Sequence, residues 1–283
     1  MTRSVSHQWE PIRDYETDPS TYAKPELTSL AEVWKEQRAE LSDSAGMAIF
    51  MERLRREWAI ETGLLERIYT LDRGVTQMLI ERGIDAAHVS DAGGSQDPDR
   101  VAAIIRDHEK AMEGIFAFVK GDRTLSTSYV KELHAQLTRN QETATAIDGR
   151  GMVVEIPLLR GAYKKRPNNP TRGNGTIHEY CPPEHVDSEM EHLIAMHLAH
   201  ADVVSEVEAA WIHHRFTQIH PFQDGNGRVA RCLATLVFLK PNVFLSSSGT
   251  RRTSEDDISK RSRARTAVIS DRWSESLQLR RCA

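Results

Sequence analysis

The stretch His220-Pro221-Phe222-Gln223-Asp224-Gly225-Asn226-Gly227-Arg228-Val229-Ala230-Arg231 constrains this 283-residue chain more than any other. Two glycines frame Asn226 at the point where a loop enters a helix, so the backbone must bend tightly and begin a new helix at once. Upstream, Met190, Leu193, Ile194, Val204, Val207 and Trp211 recur at helical spacing. Ser188 and Glu191 predict a capping box that opens a helix running to about Gln218. Downstream, a helix is predicted from Arg228 to about Lys240. Apolar spacing elsewhere agrees. Phe50, Leu54, Trp58, Leu64, Leu65 and Ile68 predict amphipathic helices between Leu30 and about Arg82, interrupted at Gly63 and Gly74, and Val101–Val119 and Thr127–Thr138 predict two more. The fold class is all-α with one exception: Met152–Ile156 and Thr176–Tyr180 predict the paired strands of a small β-hairpin.

Composition divides the chain into four parts. Residues 1–25 are polar and carry Pro11, Pro19 and Pro25, so they predict a peripheral arm that adds little to the core. Residues 26–95 form an N-terminal helical region, and 96–240 the core domain. Residues 241–283 hold nine Ser and nine basic against five acidic side chains, a composition that predicts a disordered tail. A net charge of −4 gives no global electrostatic case for nucleic acid or an anionic membrane as partner, and Lys164-Lys165-Arg166 reads as a solvated loop. Cys181, Cys232 and Cys282 are odd in number and lack C-x-x-C spacing, which argues against a disulfide framework and for a reducing, cytoplasmic location. Met1 to Trp9 lacks the apolar stretch of a secretory signal, and the longest apolar run, Cys232 to Leu239, is too short to span a bilayer. His192, His197 and His200 lack the spacing of a metal motif and are expected to be satisfied structurally.

The twelve-residue stretch carries the chemistry. Gly225 and Gly227 let successive backbone N–H groups approach an anion, and the start of a helix adds partial positive charge. Arg228 and Arg231 are three apart, so they are expected on one face of the first turn, where guanidinium forks engage phosphate oxygens. Asp224 offers a hard oxygen of the kind Mg²⁺ takes together with substrate phosphates. A neutral imidazole at His220 can accept a proton from a hydroxyl. Phe222 is expected to pack and fix the loop. Together these groups suit transfer of a nucleotide's phosphorus group to an alcohol.

Every fixed position from His220 to Arg231 agrees with the pattern H-x-F-x-D/E-G-N-G-R-x-x-R, and the chain resembles the Fic family there. Ala209 to Ile219 resembles the helix before that motif, and Leu158 to Val186 resembles the family's flap together with the segment just after it. The resemblance implies a Fic-type helical core with a hairpin flap, and transfer of AMP from ATP to a Ser, Thr or Tyr hydroxyl of a target protein. It implies His220 as base and Asp224 as Mg²⁺ ligand. Gly225, Asn226 and Gly227 become the phosphate cradle, Arg228 a phosphate anchor and Arg231 the holder of the γ-phosphate. A target segment would add as a strand to a flap at about 161–180.

Many relatives carry an inhibitory helix with the pattern S/T-x-x-x-E-G/N. Thr62-Gly63-Leu64-Leu65-Glu66-Arg67 agrees at Thr62 and Glu66 and departs at Arg67, and it implies that Glu66 occupies Arg231, ahead of Glu61 and Glu81 as candidates. The tail departs from the further helices usual after the motif, which raises truncation or an altered frame. Use of another nucleotide donor, removal of AMP from a modified protein, and a catalytically inactive binding module remain alternatives. The sequence does not name the target, and a homodimer is compatible with it.

Overall fold

The computed structural model describes residues 4–27, 29, 45–90, 97–121, 123–147 and 152–243. The expectations for residues 30–44 and for a disordered or truncated tail over 244–283 lie outside the described residues. In chain order the elements are β1 (Val5–His7), α1 (Ala45–Leu65), α2 (Arg73–Arg82), α3 (Ala86–Ser90), α4 (Pro98–Lys120) and α5 (Thr127–Leu137). Next come β2 (Thr143–Ile147), β3 (Val153–Pro157), β4 (Ile177–His178), α6 (Val186–Ala199), α7 (Ser205–Ile219) and α8 (Asn226–Val243). The fold is predominantly helical with two small two-stranded sheets, as the apolar spacing predicts.

Helix starts are set by short polar side chains that accept otherwise unpartnered N–H groups. Asp72 accepts from Val75, Asp97 from Asp99 and Ser126 from Tyr129. Two apolar clusters result. The larger joins α4 to α8 and contains Ile115, Phe118, Val130, Leu133, Leu193, Ile212, Phe216, Val229 and Leu233. The smaller joins α1, α2 and the first half of α4 through Ile60, Tyr69, Val75, Leu79, Ile104 and Ile105. Gly63 does not interrupt α1, which runs through it with the Tyr69 ring laid against that face and its hydroxyl donating to Ile60 O at 3.0 Å.

Several local expectations need correction. The strand at 153–157 pairs antiparallel with 143–147, not with 176–180, with Ala144 opposite Ile156 and Ile147 opposite Val153. Thr143–Ile147 is a β-branched alternating run that supplies the nearer partner. Ile177–His178 pairs instead with Val5–His7, in parallel. The single helix expected to run to Gln218 is two helices separated at 200–204, and Glu208 from the first turn of α7 joins them by accepting from His197 Nδ1 (2.7 Å) and His200 Nδ1 (2.9 Å) at the end of α6. No capping box forms at Ser188. A 3₁₀ turn runs straight into α6, which places Ser188 inside the first turn with its hydroxyl donating to His185 O at 2.9 Å.

The N-terminal arm belongs to the folded body despite its polarity. Ile12 is 2% exposed in the larger cluster, and its N–H donates to the buried Glu189 carboxylate at 2.8 Å. Tyr15 donates to Glu208 at 2.9 Å, and His200 Nε2 meets Asp14 at 2.8 Å, so two of the three histidines considered as metal ligands instead tie the arm, α6 and α7 together. Among the described residues no group of three His, Cys, Asp or Glu side chains could hold a metal ion, and no helix is long and apolar enough to cross a membrane.

Candidate active site

Helix α7 ends at His220, whose backbone is left-handed (φ 53°, ψ 58°) and whose N–H still bonds Phe216 O at 2.9 Å. This single residue turns the chain off the helix axis into the loop. A non-glycine residue there is uncommon and strained, and such strain persists only where surroundings hold it. Phe222 supplies one hold. It is fully buried and stacked on the His134 ring, with centroids 3.8 Å apart. Asn226 supplies another: its Oδ1 accepts from Phe222 N–H at 2.8 Å and its Nδ2 donates to Phe222 O at 2.7 Å. The Asn226 side chain is therefore an internal pin of the loop, and only its backbone faces the bend.

Gly225 takes φ +79°, and a Cβ there would press on Thr138, Arg228 and His134. Gly227 opens α8, and a Cβ on it would collide with the Glu66 carboxylate. Gly225 is thus required by its backbone, whereas a Cβ at Gly227 would displace the Glu66 carboxylate from the cradle.

His134, which no sequence motif marks, joins three parts of the site. Gly161 N–H donates to its Nδ1 at 2.9 Å, so Nε2 carries the proton and donates to Asp224 O at 3.0 Å. Burial lowers its pKa to about 4, against weaker opposing help from the Asp224 carbonyl, and keeps the ring neutral. Gln141 is a second unforeseen member. Its amide nitrogen donates to Asp224 Oδ2 at 2.6 Å and to Thr143 O at 3.0 Å, while its oxygen accepts from Arg228 Nη2 at 2.6 Å. Asp224 Oδ1 accepts from Gly225 N–H at 2.6 Å. Both His134 and Gln141 lie more than eighty positions from the loop in sequence, and no local pattern points to them.

The two arginines do not share one open face. Arg228 is 2% exposed beneath the loop, also bonded to Leu137 O at 3.3 Å. Its charge reaches the bend from below, 3.8 Å from Asp224 Oδ1. Arg231 points the other way, toward the C-terminal end of α1. Its Nη1 pairs with Glu66 Oε1 at 2.7 Å, its Nε donates to Thr62 Oγ1 at 2.7 Å and its Nη2 to Thr62 O at 3.2 Å. Thr62, Glu66, Gly227 and Arg231 are therefore one contact set, although more than 150 residues separate the two segments. Of the three acidic candidates, Glu66 takes the pairing.

Arg67 explains how Glu66 is aimed. Its N–H bonds Leu64 O at 3.0 Å and the Ile68 N–H bonds Gly63 O at 3.0 Å, closing the end of α1 with Arg67 at φ 56°. A small residue is favoured at this left-handed position, and this chain places an arginine there.

His220 lies in a recess with the Tyr180 ring stacked on it and the Lys164 charge nearby. Its Nδ1 donates to Thr217 O across 3.3 Å, which leaves the Nε2 lone pair to accept a proton. Burial first, and then the Lys164 charge, lower its pKa to about 3, so the imidazole is neutral throughout the physiological range. The arrangement offers a proton acceptor, a carboxylate with partial exposure and a glycine-framed cradle within one loop.

A helical core that presents such a loop between two helices, with an imidazole at its rim, defines the class of this domain. Residues 124–238 match the Fic/DOC family. A Fido domain-containing protein of Dictyostelium discoideum is 66% identical over 29 residues, which make up 10% of this chain and only 20% of that protein. Among solved structures, a Fic domain-containing signalling protein from Bacteroides thetaiotaomicron superposes with a TM-score of 0.58 at 24% identity, covering 76% of this chain and 72% of its own. A Fic family protein from Desulfovibrio desulfuricans gives 0.53 at 19% identity, covering 82% and 60% respectively. These two likenesses show the fold.

Proposed function

We propose that this domain is a nucleotidyltransferase that moves AMP from ATP to a hydroxyl of a target protein, and that it rests in an inhibited state. One observation carries this reading: the glycine cradle already holds an anion. The Glu66 carboxylate lies against Gly227 and pairs with Arg231, where a terminal phosphate would compete for the same guanidinium. His220 is the base. Its Nε2 takes the proton of the target hydroxyl, whose oxygen forms a bond to the α-phosphorus as the bond to the β-phosphate oxygen breaks and pyrophosphate departs. Arg231, once freed, anchors the γ-phosphate, and the backbone of Gly225, Asn226 and Gly227 cradles the chain of phosphates. Arg228 adds fixed positive charge from below.

Asp224 suits Mg²⁺. Its side chain is 44% exposed, and this ion commonly uses one or two carboxylates with substrate phosphates and water rather than a protein cage. When bound, the ion would neutralise phosphate charge. Gln141 and the Gly225 N–H fix the carboxylate in place beforehand. A target segment fits the β2–β3 hairpin rather than residues 161–180. That sheet has two strands among the described residues, and Val153 within it is 70% exposed, which leaves an edge for strand addition.

The test is transfer from α-labelled ATP with Mg²⁺. Glu66→Gly is expected to increase self-labelling, and His220→Ala in that background to reduce it by about 10²- to 10⁴-fold, the usual worth of a positioned base. Absence of label from Glu66→Gly with every target offered would overturn the reading. Label in the wild type equal to that in Glu66→Gly would overturn the inhibited resting state.

A further inference from the structure

The segment Gly161–Tyr180, expected to be the target flap, is exposed along 170–175 but braces the loop that carries His220 through Lys164, Asn168 and Tyr180. Lys164 N–H donates to Pro221 O at 2.9 Å, and Asn168 Nδ2 donates to Phe222 O at 2.8 Å. Asn168 is itself held by the buried Lys164 ammonium at 2.7 Å, and Asn169 accepts from Tyr180 N–H at 2.9 Å. The Tyr180 ring lies flat on the His220 imidazole, with centroids 3.8 Å apart and planes within 5°. Its edge meets His178 at 4.9 Å, and His178 stacks on His7 of strand β1 at 4.4 Å. Four rings thus form a continuous array from the N-terminal arm to His220.

Ring orientation explains why such an array matters. The imidazole donates to Thr217 O at 3.3 Å, a long hydrogen bond that restrains rotation of the ring only in part. A flat stack removes that freedom, since a ring pressed at van der Waals distance can turn only within its own plane. The pairing of His7 with His178 in the β1–β4 register then holds Tyr180 from behind.

We propose that Tyr180 is the positioning residue for His220, and that strand β1, through His7 and His178, is part of the active-site architecture. This rests on His220 acting as base. Proton acceptance needs Nε2 aimed within hydrogen-bond reach of the hydroxyl, and a ring free to rotate satisfies that for only part of the time.

The experiment combines NMR of the full-length chain with kinetics in the Glu66→Gly background. In the unmutated chain, NOE cross-peaks are expected between Tyr180 ring protons and the His220 ring, and their absence overturns the stack whatever the protein's activity. Tyr180→Leu is expected to move the His220 ring protons downfield and to lower turnover about threefold to tenfold, as loss of an aromatic pair would, with the KM for ATP unchanged. Tyr180→Phe, which keeps the ring, is expected to restore both. A downfield shift with unchanged turnover would overturn the positioning role, as would a loss that Tyr180→Phe fails to restore. His7→Ala alters an exposed side chain and is expected to move the Tyr180 resonances; if they stay fixed, the arm has no part in the array. Should no transfer occur at all, the NMR arm still decides the stack, and the failure belongs to the proposed reaction.

Discussion

The floor of the cradle and its cover are built differently. On the floor, Phe222, Asn226, His134 and Gln141 lock the loop through a buried ring stack and hydrogen bonds from separate parts of the chain. The cover is the last turn of α1 with the residue after it, held to Arg231 by a half-buried ion pair and two bonds to Thr62, and terminated by an arginine in a conformation that suits glycine. Preorganisation of the floor spares the site the cost of ordering when a ligand arrives. The cover, held to Arg231 through one helix end, is the part that an anion of higher charge would displace under the proposed inhibition. The difference teaches that rigidity and release sit on opposite sides of Gly227.

The largest effect expected of the floor comes with acid. Burial depresses the pKa of His220 to about 3, of His134 to about 4 and of His108, which lies on α4 behind the floor and bonds Ala59 O of α1 at 3.1 Å, to about 3, whereas the unfolded chain binds these protons near 6.5. Stability from the three is present above pH 6.5 and is lost as pH falls, by about 2 kcal/mol for each histidine at pH 5. Urea denaturation at pH 7 and pH 5 should show a much lower midpoint in acid, and a midpoint that stays constant would break the picture of a dry, neutral floor.

Next comes Asn226→Ala, which leaves the buried Phe222 N–H without its partner and Phe222 O with only Asn168 of its two donors, and should cost about 1–3 kcal/mol. Thermal unfolding checks it, and a loss below about 0.5 kcal/mol would mean that the loop holds itself without its pin. The smallest effect belongs to the cover. Arg67→Gly relieves the left-handed strain but gains entropy in the unfolded chain, so a net stabilisation of roughly 0.5–1 kcal/mol is expected. Destabilisation in the same thermal measurement would show that the arginine makes contacts worth more than its strain.

The loop was legible because it is contiguous: Gly225, Gly227, Asp224, His220 and the two arginines stand within twelve residues, and helical spacing on both sides set their context. Glu66 was legible only through a partial pattern, and the fold then set it beside Arg231. What escaped was non-local. His134 and Gln141 meet the loop through tertiary packing, and Tyr180 meets His220 from a separate segment. The hairpin was misassigned for a related reason. Short apolar runs announce strands without naming their partners, so Thr143–Ile147 took the place expected of Thr176–Tyr180. Arg228 shows a further limit, since spacing of three places two side chains on neighbouring sides of a helix but does not say which of them the body of the protein will swallow.

Glu66 stands one residue beyond the end of its helix, at the hinge of the cap, and this sets the scale of any activation. Under the proposed inhibition, freeing Arg231 demands no swing of a whole helix, only the fraying of one terminal turn with the loss of the Glu66 ion pair and the two bonds to Thr62. Helix ends open at a small fraction of the free energy that global unfolding requires. If Glu66 gates the cradle as proposed, a change of a single side chain nearby would be enough to shift its balance.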